Sequence, residues 1–88
     1  MEKRIGSVLV IVKESNNTAK INEILSAHGQ IIIGRQGIPL RDRGISVISI
    51  VLEGNTDEIG SLTGKLGRLK GVKVKSVLIK NNFDDENK

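Results

Sequence analysis

Apolar positions along the chain fall into four short aliphatic runs and two longer stripes of helical spacing. Residues 5–13 (IGSVLVIVK) are rich in β-branched side chains and apolar on both parities, which predicts a strand. Residues 14–17 read as a turn with capping residues. Asn16 or Asn17 can cap a helix that runs to His28 and stops at Gly29. Ile21, Ile24, Leu25 and His28 recur at i, i+3, i+4 and i+7, one face of that helix. Residues 31–36 predict a second strand, and residues 37–44 (GIPLRDRG) a connection rich in turn residues. Residues 45–53 (ISVISIVLE) form a third strand, again apolar on both faces. Asn55 followed by Glu58 offers a capping box for a second helix with a buried stripe of Ile59, Leu62, Leu66 and Leu69. Gly71 closes that helix, and residues 72–79 predict a fourth strand. Residues 81–88 are polar and read as a disordered tail behind a single domain, residues 1–80.

The order βαββαβ is that of an α+β, ferredoxin-like domain: a four-stranded antiparallel sheet with two helices on one face. Its first and third strands are central, and those are the runs with the longest two-sided apolar patterns. In the first, Val8, Val10 and Val12 oppose Leu9 and Ile11. In the third, Ile48, Ile50 and Leu52 oppose Ile45, Val47 and Val51. Two helices cover one face only. The other face would expose more aliphatic surface than a soluble monomer carries, so a homo-oligomer, dimer or tetramer, is expected through the open sheet face.

Composition narrows the chemistry. A chain of 88 residues makes one domain with a small core, which favours association with another copy. There is no cysteine, so disulfides, zinc-thiolate sites and thiol nucleophiles are excluded, and a reducing cytoplasm is expected. The longest apolar run is too short to span a bilayer, so no membrane contact is expected. The lone aromatic, Phe83, is in the tail, and the domain proper has no ring to stack on a base. Net charge is +4, and residues 65–80 hold six Lys or Arg and no acid. A solvated basic face is the plain reading, and an anion or nucleic-acid surface the sharper one.

Two glycine patterns invite a functional reading. In residues 60–71 (GSLTGKLGRLKG), Gly60 and Gly64 stand one residue too close for a phosphate loop, and Leu66 follows Lys65 where a Ser or Thr is needed. On a helical wheel Gly60, Gly64 and Gly67 form a strip beside the leucines. Such a strip lets a helix backbone come close to a sheet or to a neighbouring subunit. Gly34-Arg35-Gln36-Gly37 mimics the Gly-x-x-Gly loop that clamps RNA in KH domains. That loop leads into a helix, whereas Pro39 and a short polar run precede a strand here. A turn with solvated arginines fits better. The aliphatic central strands argue against base stacking of the RNA-recognition-motif kind. His28 is the single histidine; near a helix end it is expected to contact terminal carbonyls or pack its ring. Asp57 and Glu58 open the second helix and complement its dipole. No nucleophile, base and orienter assemble, so the chain reads as no enzyme, with no cofactor and no metal.

Residues 33–54 (IGRQGIPLRDRGISVISIVLEG) and 56–80 (TDEIGSLTGKLGRLKGVKVKSVLIK) resemble the small iron-only hydrogenase system regulators, a family with an ACT-like fold. The likeness spans about residues 3–80 and is strongest over 34–41 and 57–74. It implies a regulatory role near iron-only hydrogenase, and ligands placed at subunit interfaces as in ACT domains. The histidine and cysteine set of the related nickel-sensing domain is lacking here, so the resemblance does not extend to nickel sensing. The expected role is therefore that of an oligomeric, effector-binding regulatory domain. A small anionic or amino-acid effector, or a protein partner, would meet it around residues 34–43 and the turn at 14–17. Asn16, Gly34, Arg35, Gly37 and Arg41 are the candidate site residues. The guanidinium groups of Arg35 and Arg41 suit carboxylates or phosphates. The alternative is a nucleic-acid-binding module using residues 65–80. Fluorescence titration with short RNA and DNA separates the two: the regulatory reading expects no binding at low salt, and the alternative expects binding that falls steeply as salt rises.

Overall fold

The computed structural model describes residues 2–13 and 18–80. The elements are β1 (Arg4–Lys13), α1 (Ala19–Ala27), β2 (Ile32–Leu40), β3 (Ile45–Gly54), α2 (Thr56–Gly67) and β4 (Val72–Lys80). A 3₁₀ turn, Gly29–Ile31, follows α1, and another, Arg41–Arg43, joins β2 to β3. The strands form one antiparallel sheet in the order β2-β3-β1-β4, so the first and third are central, as their two-sided patterns predict.

Register assigns the strand residues to faces, Ile33 excepted, which sits at a shift in the β2–β3 pairing. Val8 pairs with Ile50 and Ser76, and Val10 with Ile48 and Val74. These positions face the helices. The core joins Val8, Val10, Val12, Ile50 and Leu52 of the sheet to Ile21 and Leu25 of α1 and Ile59, Leu62 and Leu66 of α2. Full burial of each such side chain contributes about 1.5–3 kcal/mol relative to exposure. Leu69 is only partly buried and packs at the margin.

The helix ends follow their sequence signals unevenly. At α2 the capping box forms in full: the Asn55 side chain accepts from the Glu58 backbone N–H at 2.8 Å, and the Glu58 carboxylate accepts from the Asn55 backbone N–H at 2.9 Å. Gly71 ends that connection with φ of 77°. At α1 the N-cap position is Thr18, whose backbone is helical and whose side chain makes no capping bond. Asn16, Asn17 and the tail at 81–88 lie outside the described residues.

Two expectations are corrected. Residues 37–40 are not a connection: β2 runs on through Gly37, Ile38 and Pro39 to Leu40, in register with β3. Glycine and proline punctuate most chains, but β2 is an edge strand, where a missing N–H is tolerated. The turn proper is only Arg41–Arg43 plus Gly44, at φ of 66°. The glycine strip of α2 does not approach the sheet or any other described residue, which removes the first of the two roles given to it, close packing within the domain. A Cβ built at Gly60, Gly64 or Gly67 meets no atom within 4 Å. The close approach lies elsewhere, at Gly6 of β1, where a Cβ would stand 2.5 Å from Leu78 Cδ2 and 3.0 Å from the Val77 carbonyl oxygen.

Alanine at Gly60 or Gly64 is accordingly expected to raise stability by about 0.8–1 kcal/mol each. Gly6→Ala is expected to lower it by about 1–3 kcal/mol through overpacking. Urea denaturation measures all three. A loss of stability or of assembled mass on filling Gly60 or Gly64 would mean that another molecule packs on that strip.

Candidate functional site

The helix-free face of the sheet is ruled by the same register. Across it run Leu40, Ile45 and Lys13; then Ile38, Val47, Ile11 and Lys73; then Gln36, Ser49, Leu9 and Lys75; then Gly34, Val51, Ser7 and Val77; then Glu53, Ile5 and Ile79. Most of these side chains are aliphatic. Leu9, Ile38 and Val51 remain 42–43% exposed, and Val77 67% exposed, in the single chain. The lysines gather along the β1–β4 margin.

At one corner this face is notched. Ile11 lies opposite Lys73, and Val12 opposite Val72. The next position beside Lys13 on the β4 side is Gly71, which offers no side chain. A concavity of 550 Å³ results, lined by Ile11, Lys13, Ile45, Gly71, Val72 and Lys73. It shares Ile11 and Lys73 with a shallower hollow of 390 Å³ that reaches Leu9, Val74 and Lys75.

The predicted site residues do not converge. Arg35 pairs with Ile50 and so faces the helix side, beside a hollow of 200 Å³ formed with Leu25, Ser26, Gly29 and Ile32. Gly37 faces the same way, whereas Gly34 lies opposite Val51 on the open face. Arg41 is exposed at the tip of the β2–β3 hairpin, where the Gly44 N–H donates to its carbonyl at 3.1 Å. Six residues of strand, at about 3.3 Å each, separate Arg35 from Arg41 by roughly 20 Å. Asn16 lies outside the described residues. The Gly-x-x-Gly stretch is extended strand, not a phosphate-clamping loop. The basic run divides as well: Lys65 belongs to α2, Arg68 is its C-cap and Lys70 follows, while Lys73 and Lys75 point to the open face. The residues that line the notch were not singled out in the sequence. The signal was present in the strand register, which alternation gives for each strand alone but not across two strands.

A second polar contact lies in the helix layer. His28, the C-cap of α1, donates from Nδ1 to the Ile24 carbonyl at 2.7 Å. In the neutral ring Nε2 is then an acceptor, and the Ser61 hydroxyl lies 3.1 Å from it. This pins α1 to α2 above a hollow of 380 Å³ that Asp57 and Glu58 also line. The carbonyl contact is the one expected for His28. Among the described residues no group of three His, Cys, Asp or Glu could hold a metal ion, and no helix is long and apolar enough to cross a membrane.

A four-stranded antiparallel sheet of this order with two helices on one face is an ACT-like, ferredoxin-like domain. The ACT domain from GTP pyrophosphokinase of Chlorobium tepidum superposes with a TM-score of 0.59 over 93% of this chain and 92% of that one, at 17% identity. A crystal structure of an unknown protein from Galdieria sulphuraria gives 0.61 at 12% identity, over 92% of this chain and 48% of that one. Both are likenesses of fold alone. The chain itself belongs to the TM1266-like family, described as "Iron-only hydrogenase system regulator, putative", whose model matches residues 4–76. The uncharacterized protein TM1266 from Thermotoga maritima is 36% identical, with a TM-score of 0.85 over 90% of this chain and all of that one. No match was found among curated proteins.

Because the Ser61 hydroxyl is exposed, Ser61→Ala is expected to cost at most about 0.5–1 kcal/mol. His28→Ala, which also removes the carbonyl contact, is expected to cost roughly 1–2 kcal/mol. Paired urea titrations test the ranking; equal losses would show that the Ile24 contact contributes nothing.

Proposed function

We propose that the protein is a non-enzymatic regulatory module, working in the cytoplasm as a homo-oligomer built through its open sheet face. A small anionic effector binds at the subunit boundary near the hairpin tip that carries Arg41. Membership of a hydrogenase-system regulator family supports the regulatory role. The observation that carries the reading is the uncovered aliphatic face, with Leu9, Ile38, Leu40, Val51, Val77 and Ile79 all more than a third exposed.

The face is large enough for the task. Four strands about 4.8 Å apart and roughly 30 Å long present about 570 Å² in projection. Two such faces, with the relief of their side chains, reach about the 1,200 Å² at which specific interfaces begin. The charges also permit it. A two-fold axis along the strands lays the β4 margin of one copy over the β2 margin of the other. Lys73 and Lys75 then meet Ile38 and Gln36 of the partner subunit, and no lysine meets its own copy. Lysine stems can lie along the apolar surface while their ammonium groups stay in water.

Sedimentation velocity at micromolar concentration is expected to show a dimer or tetramer. Leu9→Lys and Val47→Lys are each expected to give a monomer with an unchanged far-UV circular dichroism spectrum. A wild-type protein that sediments as a monomer at about 100 μM would end this reading, because the apolar face would then stand in water at no visible cost.

A further inference from the structure

From the notch at the sheet corner we infer that the effector is a short aliphatic carboxylate that carries no α-ammonium group. This rests on the regulatory reading above and narrows its effector to one chemical class. The aliphatic side chains of the floor are Ile11 and Ile45. Val72 lines it only along the strand, its side chain turned to the helix side opposite Val12, and Gly71 leaves the position beside Lys13 without a side chain. Lys13 and Lys73, both exposed, complete the lining and bring two positive charges to it.

Each part of this lining selects. The aliphatic floor takes a branched or straight hydrocarbon body. The two ammonium groups take its carboxylate through charge-assisted hydrogen bonds. The described lining holds no aromatic ring on which a nucleobase could stack, and no carboxylate. An amino acid would therefore set its own ammonium group beside two lysines with no acid among the described lining residues to receive it, a like-charge arrangement that discriminates against it. Inorganic phosphate would satisfy the lysines and leave the floor wet. At 550 Å³ the concavity is within the range of small-molecule sites, and it lies on the margin of the open face, where a second copy closes it from the side.

The experiment is a titration of isotope-labelled full-length protein, followed by the methyl resonances of Ile11 and Ile45. The probes are 3-methylbutanoate, 4-methyl-2-oxopentanoate, L-leucine and inorganic phosphate. Either branched-chain acid is expected to shift these two residues saturably, and leucine and phosphate to bind at least tenfold more weakly. Lys73→Met and Lys13→Gln, both exposed positions, are each expected to weaken the acid by about tenfold or more, the loss of one charge-assisted contact. Preserved amide dispersion in both variants certifies the fold. The inference is overturned if leucine binds as tightly as its deaminated analogues or phosphate matches them. It is equally overturned if no acid binds at 10 mM, or if both lysine variants bind normally. Sedimentation of the same samples keeps the two readings apart: binding by a monomer retains the notch and removes the face-to-face assembly, whereas an oligomer without binding does the reverse.

Discussion

The central strands β1 and β3 are aliphatic on both parities, and one layer of two helices can hide only one of the two faces this creates. The hidden side becomes the core. Val8, Val10, Val12, Ile50 and Leu52 meet the stripes of α1 and α2 there and are almost wholly removed from water. The other side retains a field of leucine, isoleucine and valine that a lone domain gains nothing by keeping. Such a pattern is costly to solubility in a monomer and favourable in an assembly, so the alternation that specifies the fold is also the basis of the proposed partner surface. Charge placement is consistent with that division: the lysines of β1 and β4 line a margin and leave the middle of the face uncharged, with Ser7 and Ser49 among its aliphatic side chains.

The helix layer shows how strong local signals outweigh weak ones. Three glycines make α2 a poor helix by propensity, at about 0.8–1 kcal/mol for each interior position. It forms because Asn55 and Glu58 close both ends of a capping box, Asp57 and Glu58 complement the dipole, and Ile59, Leu62 and Leu66 bury completely. Those features were legible in the sequence, as were the element order, the central strands and both core stripes. The purpose of the glycines was not. A wheel places them beside the leucines, but only coordinates reveal that the space next to them is open.

The candidate site was harder to read, for a definite reason. Gly34, Gly37 and Pro39 look like punctuation, and punctuation suggests a loop that grips a ligand. An edge strand accepts the same residues because one of its sides owes no hydrogen bonds, so β2 carries straight through them. Arg35 thus ends on the helix side of β2 and Arg41 at the hairpin tip, far apart, where a flexible loop would have let them converge. The notch, by contrast, is written in no single segment. It needs Lys13 from the end of β1, Ile45 from the start of β3, and Gly71 and Lys73 from the approach to β4. Their nearness follows from antiparallel pairing over more than 30 residues of separation, and one missing side chain in that pairing makes the hollow.

In the proposed assembly, position and charge would together tie the effector to association. Lys13 and Lys73 lie at the edge of the face assigned to the second copy. Docking there takes water from one side of their positive charge while the ammonium groups keep water on the other. A carboxylate between them relieves that cost, and relieves it more in the assembled state than in the free chain. A ligand shifts an equilibrium only by the difference of its affinities for the two states, and that difference arises here from desolvation at the boundary. The coupling is reciprocal: an acid that binds the assembled form more tightly must strengthen assembly by the same factor, and assembly must tighten the acid. On the proposed reading, the domain would in this way convert the concentration of a small carboxylate into a change of oligomeric state, which a larger regulatory system is able to sense.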